Sequence, residues 1–172
     1  TFMSLLWDAV ATKNARLLTR GVGNLPSKLE RATWLNYIRC HDDIGLGFDD
    51  NDARLSGYDP LQHRRFLVDY FTGRFPGSPA RGLPFGDDIE SGDARISGAL
   101  ASLAGLEAAL ETGDEPLVDE AINVILLLHG MILSFGGIPL LYYGDAIGNL
   151  NSLEYLEDPS KANDARWINR SR

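Results

Sequence analysis

The sequence predicts an α/β fold, the tail end of an alternating helix–strand pattern, and three observations predict it. Two apolar runs, residues 33–40 and 138–143, read as strands, the first rich in aromatic and β-branched types. Each runs into polar residues, His41-Asp42-Asp43 after the first and Gly144-Asp145 after the second. Helical periodicity marks several stretches before and between them, with no internal repeat and no low-complexity tract. Both strands look suited to burial on two faces, as in a parallel sheet. Two strands cannot close such a sheet, and a complete (β/α)8 barrel takes about 250 residues. The 172-residue chain is therefore expected to be a fragment of a larger parallel sheet or barrel, or to need neighbours it lacks.

Element by element, residues 2–20 are expected to form one amphipathic helix, with Phe2, Leu5, Leu6, Ala9 and Val10 on its packed face. Gly21 and Gly23 end it. After the first strand comes a long acidic loop with Asp49, Asp50 and Asp52. Asp59-Pro60 is a cap followed by a first-turn proline, which predicts a helix to residue 74. Residues 75–92, with three prolines and four glycines, read as irregular loop. An Ala- and Leu-rich helix is expected over 97–111, stopped by Gly113. Asp114-Glu115-Pro116 opens another helix to residue 134, apolar on most sides and so expected to be buried. The segment after Gly144-Asp145 reads as a polar tail.

Composition narrows the function classes. With 24 acidic and 16 basic side chains the formal charge is −8, unsuited to neutralising phosphates, so neither nucleic acid nor an anionic membrane surface is an expected partner. The longest nearly apolar run, residues 122–135, is interrupted by Asn123 and His129 and is too short to span a bilayer. One cysteine, Cys40, excludes an internal disulfide. The first residues lack the layout of a signal peptide, and the compartment is left open.

Functional groups of parallel α/β folds gather at the C-terminal ends of strands. That rule singles out Asp42, flanked by His41 and Asp43. The competing reading is a loop aspartate that caps a turn. A metal site built from these residues with Asp49, Asp50 and Asp52 is not expected, because the acidic run lacks calcium-loop spacing and His129 falls in the apolar helix. Arg81 reads as a surface arginine.

Several segments, taken in order, carry a family resemblance. They include Asn36-Tyr37-Ile38-Arg39-Cys40-His41-Asp42-Asp43-Ile44-Gly45, Arg74-Phe75-Pro76-Gly77-Ser78, and Gly92-Asp93-Ala94-Arg95-Ile96-Ser97-Gly98. Further on come Gly136-Gly137-Ile138-Pro139-Leu140-Leu141-Tyr142-Tyr143-Gly144-Asp145 and Asn163-Asp164-Ala165-Arg166-Trp167. The sequence resembles the amylosucrases of the α-amylase superfamily, glycoside hydrolase family 13. The resemblance implies the C-terminal portion of a catalytic (β/α)8 TIM barrel, with residues 33–40 as strand seven and 138–143 as strand eight. Residues 44–112 would include a helical insertion after strand seven.

The implied reaction is retaining cleavage of sucrose, transfer of glucosyl to an α-1,4-glucan and release of fructose, with no metal or organic cofactor. By the same resemblance Asp42 is the transition-state stabiliser and His41 a donor to the same ring hydroxyls. Asp43 and Arg95 would hold the fructosyl or acceptor unit, and Arg64 would contact a longer glucan. Arg166 would close the pocket floor through an ion pair with an aspartate upstream of this chain. The family's nucleophile and acid/base have no counterpart here, so the chain alone is expected to be inactive. Two positions depart from the pattern: Leu46 where an aromatic residue is common, and Ala146 where Glu is usual. Two alternatives stay open, a sucrose hydrolase or α-glucosidase of the same superfamily and a non-catalytic carbohydrate-binding homologue.

Overall fold

The fold was analysed in a computed structural model that describes residues 2–86 and 94–170. Where one N-terminal helix is expected, there are two, α1 (Phe2–Thr12) and α2 (Arg16–Gly23). The break has a local cause. Lys13 takes a left-handed φ of 51°, Thr12 Oγ1 donates back to Asp8 O at 2.8 Å, and Asn14 Oδ1 accepts from Arg16 N at 2.9 Å. The polar run at residues 12–14 thus caps one helix and starts the next.

The two expected strands do pair in parallel, but only over two residues each. β1 (Leu35–Asn36) lies against what becomes the last strand, Ile138–Pro139, in the register Leu35↔Ile138 and Asn36↔Pro139. Past Asn36 the backbone leaves the ladder, and Ile38 O instead accepts the buried indole N–H of Trp7 on α1 at 2.9 Å. Within this chain the two faces expected to be buried are uncovered: Leu35 is 54% and Ile138 56% exposed.

The acidic loop after β1 contains a helix, α3 (Asp50–Leu55), with Asp49 as its cap, accepting from Asp52 N at 2.9 Å. Asp59 caps α4 (Pro60–Phe71) in the same way, with proline in the first turn. The stretch read as irregular holds β2 (Leu83–Phe85), antiparallel to β3 (Arg95–Ser97). Ile44 bridges to Ile96 of β3 through both backbone groups, at 2.7 and 3.1 Å, so the chain just after Asp42-Asp43 is tied to this hairpin.

The helix expected over 97–111 is divided into α5 (Leu100–Leu103) and α6 (Leu106–Thr112) by Gly105, whose φ of 97° no helix accommodates. α7 (Glu115–Ser134) matches its expected span. It then leads through Gly136 and Gly137 to β4 (Ile138–Pro139) and α8 (Tyr143–Ala146). The tail is organised by two 3-10 turns, Glu154–Glu157 and Ala165–Asn169.

The core joins α1 to the segment after β1 and to α4. Leu5, Leu6 and Trp7 of α1 pack with Ile38, Ile44, Phe48, Leu67, Phe71 and Ile96, and Trp7 meets Phe71 edge-on at 5.1 Å. Leu46, 7% exposed, belongs to this core and offers no stacking surface. α7 is not buried all round. Only Ala121, Leu128 and Ile132 are covered, while Leu126, Leu127 and Leu133 are about three-fifths exposed. By length and hydropathy α7 is also long and apolar enough to cross a membrane.

Candidate active site

Asp42 sits on the segment that leaves β1, just before the Ile44 bridge to β3. Its Oδ1 accepts from Arg166 Nη1 at 2.9 Å and from the backbone N–H of Asp43 at 3.0 Å. Arg166 reaches Asp42 from the 3-10 turn Ala165–Asn169, 124 residues away along the chain. Asp164 fixes it from behind. Its carboxylate caps the turn through Arg166 N at 3.0 Å and takes Nε and Nη2 of the guanidinium, both at 2.9 Å. This fork-on-fork contact leaves Nη1 aimed at Asp42. An upstream aspartate is the partner the resemblance implies for Arg166; within this chain it pairs with Asp164 and Asp42.

The electrostatics follow from that arrangement. The hydrogen bond from Arg166 is the main reason the Asp42 carboxyl is held down at about 2, although burial opposes it. Asp164 is lowered for the same reason, and Arg166 is raised by Asp164 first and Asp42 second. Asp42 is thus a fixed negative charge at any ordinary pH, and its side chain is 45% exposed. A fixed anion accepting hydrogen bonds suits stabilisation of developing positive charge and contact with sugar hydroxyls. It does not suit proton donation.

The adjacent aspartate has its own arginine. Asp43, with a side chain only 6% exposed, takes Arg95 Nη1 at 3.2 Å. Phe85 on β2 lies under both guanidinium groups, 4.5 Å from that of Arg166 and 5.8 Å from that of Arg95. Two Arg–Asp pairs therefore share one aromatic ring. Phe85 escaped sequence reasoning, since its stretch read as loop; the pairing partner Arg95-Ile96-Ser97 lies across residues 87–93, outside the described part.

His41 has an exposed side chain, and its carbonyl accepts from Arg170 Nε at 2.7 Å. Arg64 belongs to a different cluster. It donates to Leu46 O and Phe48 O at 3.2 and 2.9 Å, pairs with Asp50 at 2.7 Å, and lies 4.6 Å over the Phe48 ring. Its guanidinium therefore braces the loop after β1. Arg81 pairs with Glu111 at 3.2 Å. His129, expected in the core, is half-buried, with Nδ1 at 2.9 Å from Ile125 O. Among the described residues no three His, Cys, Asp or Glu side chains gather as metal ligands would.

A cleft of about 620 Å³ lies between α1, α4, α6 and α7, and none of the six candidate residues lines it. The Asp42 side chain itself is about half exposed. No protein-family model matches the sequence. It is 26% identical over 172 residues to the glucosylglycerate phosphorylase of Escherichia coli (strain K12), covering 98% of this chain and 27% of that enzyme. The chain is a distant relative of a glycoside-phosphorylase-type enzyme. It spans little more than a quarter of that relative's length.

Proposed function

We propose that the chain is the C-terminal part of the catalytic (β/α)8 barrel of an amylosucrase-type glucosyltransferase. β1 and β4 are its seventh and eighth strands, and Asp42 is the residue that stabilises the transition state. The observation that carries this reading is Asp42 itself: a carboxylate following a parallel strand, ionised by Arg166, with the guanidinium locked by Asp164. As the glycosidic bond of sucrose breaks, positive charge develops at the anomeric carbon, and a fixed anion beside the ring binds that state better than the ground state. Arg95 and Asp43 hold the leaving or accepting unit, and His41 adds contacts to the glucosyl hydroxyls.

Retaining chemistry also needs a nucleophile and an acid about 5 Å apart. In this reading further polypeptide supplies them. The uncovered apolar faces favour the same reading. Leu35 and Ile138 on the paired strands, and Leu126, Leu127 and Leu133 on α7, present the kind of surface that neighbouring barrel strands and helices would cover.

The relative favours a second reading, in which inorganic phosphate replaces the glucan as acceptor; that protein is by name a phosphorylase acting on glucosylglycerate. Incubating the complete protein with sucrose, with and without phosphate and with and without an α-glucan primer, separates the possibilities. Fructose together with lengthened glucan is the expected result. Glucose 1-phosphate formed only with phosphate would establish the phosphorylase reading, and equimolar glucose and fructose a hydrolase. Absence of any fructose under all four conditions would leave a non-catalytic homologue or another glycoside as substrate.

A further inference from the structure

Arg39 is the most deeply buried basic residue among those described, 2% exposed, and it lies three residues before Asp42. Its guanidinium touches three other parts of the chain. Nη1 donates to Gly98 O at 2.8 Å, Nη2 to Asn169 Oδ1 at 3.4 Å, and Nε lies 3.4 Å from Asp145 Oδ2. The Tyr142 ring lies beneath it, 4.7 Å away. Asp145 in turn accepts from Leu100 N at 3.3 Å.

These contacts have a regular relation to the candidate site. Gly98 follows Arg95 by three residues, and Asn169 follows Arg166 by three. Asp42, Arg95 and Arg166 come from three segments far apart in the chain, and each is one short step from a group that meets Arg39. The Ile44–Ile96 bridge joins the first two segments, and among the described residues no bond between backbones ties the Arg166 turn to either of them. A planar fork with fixed donor directions does what a flexible ammonium cannot: it sets the mutual offset of several acceptors at once.

We infer that Arg39 is the positioning residue of the Asp42 site, a buried guanidinium that sets the register of the segments bearing Asp42, Arg95 and Arg166. Arg39 touches none of the reacting atoms; it acts through the turns and strand ends it joins. That this register matters for glycosyl transfer rests on the function proposed above, whereas the positioning itself does not.

The test uses Arg39→Lys in the complete protein, which keeps the charge but not the fork. Its crystal structure should show Arg166–Asp42 and Arg95–Asp43 separated beyond about 4 Å, with the β1–β4 pairing retained. Carbon-13 titration of Asp42 should give a midpoint raised from about 2 toward the ordinary carboxylate range. Fructose release should lose about tenfold or more in kcat, with KM within about twofold of the parent. Both Arg–Asp contacts intact, with Asp42 still titrating near 2, would overturn the inference. Contacts displaced with turnover unchanged would support the positioning role and remove the Asp42 site from the sucrose reaction.

Asn169→Ala removes one arm only and spares Asp145, so it decides the matter even where Arg39→Lys does not fold. The Asp42 midpoint should rise while Arg95–Asp43 stays in place; an unchanged midpoint would refute the role of Arg39.

Discussion

Asp8 on α1 and His63 on α4 stand 2.6 Å apart with side chains 0% and 5% exposed. Tyr58 stacks on the imidazole at 4.0 Å, and Phe48 and Phe66 flank it. This contact ties the N-terminal helix to the segment inserted between β1 and β4. The second carboxylate oxygen, Asp8 Oδ2, is buried without a hydrogen-bond partner among the described residues, so the tie is not fully compensated. Truncating one side, as in Asp8→Ala, leaves the other polar group buried alone. It is expected to cost about 3–5 kcal/mol. The double replacement Asp8→Leu with His63→Phe is expected to recover most of that loss. Urea denaturation of Asp8→Ala, of the single replacements Asp8→Leu and His63→Phe, and of the double measures both quantities, and additive losses would show that the two residues do not act as a pair.

Arg166→Met should release the Asp42 carboxyl. In the folded chain that group is held at about 2, below the roughly 3.9 of an unfolded aspartate. A lowered folded-state value means that the favourable contact is complete above the unfolded value and is lost as pH falls through about 2. The Asp42 side chain is 45% exposed, so solvent screens the pair and the effect on melting is small. Titration of the carboxyl is therefore the sensitive measure. Its midpoint should move up into the ordinary range in Arg166→Met; a midpoint that stays near 2 would show that Arg166 is not what holds it.

Asp42→Asn keeps the shape and loses the charge. Under the proposed function it is expected to lower fructose release from sucrose by several orders of magnitude in the complete protein, since there the fixed anion favours the charged transition state. Folding should be nearly unaffected, because Asp42 lies at an open surface. Near-normal turnover with a normal melting curve would remove Asp42 from the mechanism.

What the sequence made legible followed local rules. Asp59-Pro60 and Asp114-Glu115-Pro116 each combine a cap with a first-turn proline, and α4 and α7 begin where those signals stand. The pairing of residues 33–40 with 138–143 was legible as two apolar runs, but its two-residue extent was not, because it depends on Trp7 drawing Ile38 O out of the ladder. Helix α3 was hidden in an acidic run, although Asp49 followed by Asp52 is a capping signal. In the site, Asp42 was legible from its place after a strand. The resemblance named Arg95 and Arg166 but gave Arg166 an upstream partner, so its contact with Asp42 was not legible. Phe85 and Arg39 were missed because a ring shared by two arginines and a buried hub are properties of packing, not of spacing.

Gly137 tests the junction that brings β4 to β1. Its φ is 115°, and a methyl group there would come within 2.6 Å of Trp34 O. That same carbonyl accepts from Ile138 N at 2.9 Å, the first bond of the parallel pair. Gly137→Ala must therefore strain the backbone and push on a ladder acceptor together, an expected loss of about 2–3 kcal/mol. Neighbouring Gly136 has a φ of 66° with nothing within 4 Å of its added methyl, so Gly136→Ala carries only the left-handed backbone term, about 1 kcal/mol. Urea denaturation of the two variants side by side measures the difference. Equal losses would mean that the approach to Trp34 is relieved by a small shift of the loop, and that Gly137 is required for its backbone angle alone.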